Sequence, residues 1–106
     1  MSPVPFTPEP TRDEVDAMRG PVLLEFGINE CPHCQAAQPL VADALQRHPQ
    51  VRHLRIEDGK GRRLGRTFAV KLWPALIFMQ DGQEVARVVR ATTQPDVDAG
   101  FTKLSE

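Results

Sequence analysis

The chain has 106 residues, the length of one domain built around a single core. Apolar residues make up 41% and charged residues 25%, a balance that excludes intrinsic disorder. Lys and Arg number 13 against 14 Asp and Glu, so the net charge of −1 argues against a general nucleic-acid or anionic-membrane binder. No apolar run approaches the roughly 18 residues of a membrane span.

Residues 1–10, with Pro3, Pro5, Pro8 and Pro10, predict an extended arm, and 11–106 the folded domain. The arm has neither the basic start nor the apolar stretch of a secretory leader, so a cytoplasmic location is expected. Thr11-x-x-Glu14 has capping-box spacing and predicts a helix carrying Val15 and Met18, stopped at Gly20-Pro21. Val22–Phe26 is a short apolar run suited to a strand buried on both faces, and Glu25 is an unusual acid within it.

After a loop over 27–30, a second helix is predicted from Cys31-Pro32 to His48-Pro49. Ala37, Leu40, Val41, Ala44 and Leu45 lie on one side of it, and Pro39 predicts a kink. Val51–Glu57 alternates like a half-buried strand. Residues 58–61 form a loop and 62–70 a short helix bearing Leu64, Phe68 and Val70. Ala75–Met79 and Glu84–Val89 are strands joined by the hairpin signal Asp81-Gly82, and a last helix spans Pro95–Leu104. The order αβαβαββα predicts an α/β fold. Its four-stranded mixed sheet has parallel crossovers, a terminal antiparallel hairpin and helices on both faces.

Cys31-Pro32-His33-Cys34 opens a helix directly after a buried strand. The helix N-terminus stabilises an anion at Cys31 and makes it the attacking sulfur, while Cys34 can close on it and resolve a mixed disulfide. Pro32 at the first helical position and His33 beside the attacking thiol are the residues expected to tune its pKa. Two other readings stand beside this one. The pair could be half of a zinc site completed by His33, His48 or His53, although no second Cys pair exists, or two cysteines without a redox role. Residues 52–71 hold seven of the basic residues, which read as a solvated loop and helix face.

With these features the chain resembles the thioredoxin family over residues 11–105. The resemblance rests on Leu23-Leu24-Glu25-Phe26, Cys31-Pro32-His33-Cys34, Pro39 five residues beyond the second Cys, Trp73-Pro74 before a strand, Asp81-Gly82 and the closing amphipathic helix. It implies the thioredoxin fold, a cis Trp73–Pro74 bond against the cysteines, and pairing of the Trp73 backbone with an extended substrate. It also implies Glu25 as proton acceptor for the inner thiol. His53 falls near the place of a lysine often found beside that acid, and is read as a surface strand residue.

The implied activity is thiol–disulfide exchange through Cys31 and Cys34, reducing or isomerising protein disulfides without metal or organic cofactor. Partners would be disulfide-containing clients and a reductase or another dithiol, with the chain a monomer. The alternative is a non-catalytic module recognising a partner at the Trp73–Pro74 groove. Four departures from the family pattern bear on client choice. Glu30 stands where Trp usually precedes the first Cys, Trp73 replaces a small or β-branched residue, and Arg90 occupies a common Gly position. The family's first strand is absent or replaced by the arm.

Overall fold

The computed structural model describes residues 5–105; Met1 to Val4 of the expected arm, and Glu106, lie outside the described residues. Residues 5–10 contain neither helix nor strand, and the Thr7 amide donates to the Arg55 carbonyl at 2.7 Å. Thr11 then closes its capping box. The Glu14 amide donates to Thr11 Oγ1 (3.1 Å) and the Thr11 amide to Glu14 Oε1 (2.9 Å).

The helix it starts, α1 (Arg12–Asp16), ends before the expected Gly20 stop. Its final turn tightens, with the Met18 amide donating to the Val15 carbonyl at 3.1 Å, and Met18 packs onto the core. The elements that follow are β1 (Pro21–Gly27), α2 (Pro32–Arg47) and β2 (Arg52–Glu57), then α3 (Leu64–Thr67), β3 (Ala75–Gln80), β4 (Gln83–Val89) and α4 (Gln94–Phe101).

α3 is four residues rather than the nine expected over 62–70. Its first amides are taken by the arm, because Glu9 Oε2 accepts from both Arg63 and Leu64. Its end is fixed by Ala69 at φ 56°, with the Val70 amide reaching the Gly65 carbonyl and the Ala69 amide reaching that of Arg66. That pair of bonds is a Schellman closure, here with Ala in the left-handed position that Gly usually fills.

The sheet has the order β2-β1-β3-β4. β1 and β2 are parallel across α2, and β3 and β4 run antiparallel to their neighbours. Of the expected parallel crossovers only the first is therefore made. The 58–74 connection stays at one end of the sheet and starts β3 with Ala75 opposite Phe26, instead of carrying the chain back. This places Pro74 beside the loop that leaves β1 for α2. The hairpin turn has Asp81 at φ 51° and Gly82 at φ 82°, the two left-handed residues of a type I′ turn.

Each sheet face is covered. Val22, Leu24, Phe26, Leu54, Ile56, Ile77 and Met79 pack under α1 and α3, while Leu23, Leu76 and Phe78 pack under α2 and α4. The Phe78 and Phe101 rings meet edge-on at 5.0 Å.

Candidate active site

The two cysteines lie where β1 gives way to α2. Cys31 is the N-cap, its Sγ accepting the Cys34 amide at 3.2 Å, so the thiol does the work that Ser or Asp does at other helix starts. Pro32 fills the first helical position, where its missing donor costs nothing, and Pro32 and His33 are both exposed. Cys31 is 8% exposed and Cys34 2%, so the outer sulfur is the one a partner can reach.

Burial pushes the Cys31 thiol up. Hydrogen bonds from the Cys34 side chain and amide and from the His33 amide, together with the Arg90 charge, outweigh it and hold the thiol below its ordinary value. The Cys34 thiol is pushed up to about 12, by burial first, then by its hydrogen bond to Cys31 and the charges of Cys31 and Glu25. Gly27 permits this packing, because a Cβ there would lie 2.5 Å from Cys34 Sγ.

Under the inner thiol lies a polar column. Glu25 is 3% exposed, and His53 Nε2 sits 2.7 Å from its Oε1. The β1–β2 register explains the contact, since Leu23 opposes His53 and Glu25 opposes Arg55, all on one face. His53 is thus not a surface strand residue: its side chain is 15% exposed and engaged with the acid. Arg55 is not a solvated member of the basic segment either. It is 4% exposed, donates to Asn29 Oδ1 at 2.8 Å, and stacks its guanidinium 4.2 Å from the Phe6 ring. The arm covers the β2 edge at this point, and Asn29 belongs to the loop that carries Cys31. Sequence periodicity gave no sign of this burial, because the cover comes from the arm and not from an element with a pattern.

On the other side stands the Trp73–Pro74 turn, with a cis peptide bond and Pro74 buried. Trp73 is half-buried, and its Nε1 donates to Asp58 Oδ2 at 2.8 Å. The Asp58 carboxylate lies against Gly65, where any Cβ would collide with it. Arg90, exposed and at φ 54°, closes over the same turn. Its amide donates to the Pro74 carbonyl (2.9 Å) and its Nε to the Trp73 carbonyl (3.0 Å). Exposed Leu72 and Val89 flank the turn. Among the described residues, no three His, Cys, Asp or Glu side chains are grouped to share a metal ion, and no helix is long and apolar enough to cross a membrane.

A buried strand delivering two close cysteines to a helix start, opposite a cis-proline turn, defines a thioredoxin-type fold and site. The thioredoxin family model matches residues 3–103, and the chain belongs to that family. It is 52% identical to thioredoxin 2 from Pseudomonas aeruginosa PAO1, solved in its reduced form. That likeness has a TM-score of 0.82 and covers 91% of this chain and 90% of that one. Mitochondrial thioredoxin 3 from Saccharomyces cerevisiae shares the fold at 18% identity, with a TM-score of 0.76 and coverage of 88% and 86%. Thioredoxin H-type 1 from Nicotiana tabacum is 30% identical over 70 residues, 66% of this chain; the match spans 56% of the tobacco protein.

Proposed function

We propose that this chain is a thiol–disulfide oxidoreductase that reduces or isomerises protein disulfides through Cys31 and Cys34. The observation that carries this reading is the asymmetry of the two thiols. The reachable one caps a helix start and accepts the Cys34 amide, which holds it below its ordinary pKa, and the enclosed one is pushed up to about 12, first by its burial.

The Cys31 thiolate attacks one sulfur of a client disulfide, forming a mixed disulfide and releasing the other client sulfur as a thiolate. Cys34 then gives its proton to Glu25 and attacks Cys31 Sγ. The Cys31–Cys34 disulfide forms, and the second client sulfur leaves reduced. Two electrons pass to the client, and a reductase or another dithiol restores the pair. Glu25 suits the proton step because it is buried, held by His53, and its charge acts on the Cys34 thiol. Pro32 and the His33 amide favour the outer thiolate, and Trp73–Pro74 forms the opposite wall of the client groove. In a reducing compartment, such as the cytoplasm, the pair rests as the dithiol.

The test is the equilibrium of the Cys31–Cys34 pair against glutathione, read by mass shift after alkylation, with insulin reduction on the same sample. A reversible two-electron transition with turnover, lost in Cys31→Ser, is expected. Thiols that never form the intramolecular disulfide would shift the reading to a binding module at the Trp73–Pro74 groove.

A further inference from the structure

Resting on the thiol–disulfide reading, we infer that Arg90 selects the client, favouring disulfides flanked by a carboxylate. A client sulfur bonded to Cys31 must bring its chain past the Trp73–Pro74 turn, the wall that faces the cysteines. An extended client would pair there with exposed backbone, but the Trp73 carbonyl already accepts Arg90 Nε at 3.0 Å. Arg90 therefore replaces a sequence-blind backbone acceptor with a cation.

Three observations support a charge held for a partner. Arg90 sits at φ 54°, a conformation in which glycine is unstrained and a side chain is not. It is exposed, and its one side-chain hydrogen bond among the described residues goes to the Trp73 carbonyl and not to a carboxylate. Its charge is also felt at Cys31, which places it within electrostatic reach of the sulfur that meets the client. Once Nε is committed to the carbonyl, the guanidinium retains donors for a client carboxylate. Exposed Leu72 and Val89 beside the turn suit the apolar part of such a segment.

The test uses three peptides with one disulfide each, identical except for Glu, Gln or Lys next to the cysteine attacked. kcat/KM is measured for the native chain, Arg90→Ala and Arg90→Gly; glycine suits the backbone there, so that variant folds. The native chain is expected to prefer Glu over Gln by roughly fivefold and over Lys by more, mainly through KM, with the preference shrinking as salt rises. Both variants are expected to lose it. Any effect of Arg90 on Cys31 itself is common to the three peptides and cancels in the ratio. Equal rates on all three peptides, or a Glu preference retained in Arg90→Ala, would overturn the assignment while leaving the exchange chemistry standing. Failure to reduce any peptide would remove the thiol–disulfide reading, and this inference with it.

Discussion

The two faces of the four-stranded sheet share β1, β2 and β3 and carry different loads, with Ala86 and Val88 of β4 packing only on the side of α2 and α4. Toward α1 and α3, β1 presents Val22, Leu24 and Phe26, β2 presents Leu54 and Ile56, and β3 presents Ala75, Ile77 and Met79, all buried and apolar. Toward α2 and α4 the first rows are also apolar, with Leu23, Phe78, Val97 and Phe101. On the β2 side that face turns polar: His53 opposes Leu23 and Arg55 opposes Glu25, where aliphatic side chains would otherwise be. A single strand, β1, thus gives Val22, Leu24 and Phe26 to one core, Leu23 to the other, and carries the buried acid Glu25 on that second face. The strand period of two, not distance along the chain, sets the all-apolar row of β1 apart from the acid.

Substitutions on the two faces should break in different ways. Phe26→Ala removes a fully buried ring and is expected to cost about 3–5 kcal/mol in urea denaturation, while the native-state equilibrium with glutathione stays unchanged. A shifted equilibrium would mean that the faces are not independent. One position earlier, Glu25→Gln preserves volume and a hydrogen-bonding partner for His53, so about 1 kcal/mol is expected. The loss there is kinetic: resolution of a trapped mixed disulfide should slow by about 100-fold, the scale of a lost proton acceptor. Stopped-flow measurement of that step decides it, and an unchanged rate would make Glu25 a structural acid.

The thiols sharpen the comparison through pH. Against an ordinary value of 9.0, Cys31 is lowered and Cys34 raised to about 12. The lowered thiol adds stability to the reduced fold above pH 9, lost as pH falls through the Cys31 midpoint. The raised thiol contributes below pH 9, and its share is lost as pH climbs towards 12. Iodoacetamide at neutral pH should therefore label Cys31 alone, and Cys34 should react only after denaturation. Labelling of both at equal rates would erase the asymmetry on which the mechanism rests.

Much of this was legible in the residues. The capping box at Thr11, the turn at Asp81-Gly82 and the helix start at Cys31-Pro32 are local devices, and local chemistry decides them. The polar column was not legible in the same way. His53 and Arg55 alternate with Leu54 and Ile56 as in a solvated strand. What buries them is the parallel register beside Leu23 and Glu25 and the arm that lays Phe6 over Arg55. Register across a crossover, and cover by a segment without periodicity, leave no pattern to read. Asp58 was hidden for the same reason, since its partners Gly65 and Trp73 meet it only through the fold.

That last contact carries the smallest effect. The Trp73 turn is held from two sides, by Asp58 on the indole and by Arg90 on the carbonyl. Trp73→Phe removes the N–H and shrinks the ring, so about 0.5–1 kcal/mol of stability is expected to go with one half-buried hydrogen bond, together with a smaller loss for the ring area given up. If the bond to Asp58 orders the client wall, the variant should also raise KM for peptide disulfides about twofold to fivefold, the same energy expressed in binding. The alkylation midpoint of Cys31 should not move, because neither Asp58 nor the indole is among the groups that set it. A moved midpoint with an unchanged KM would instead tie Trp73 to the thiol, and would place the boundary between wall and reacting sulfur differently from where Gly27 and Pro74 now draw it.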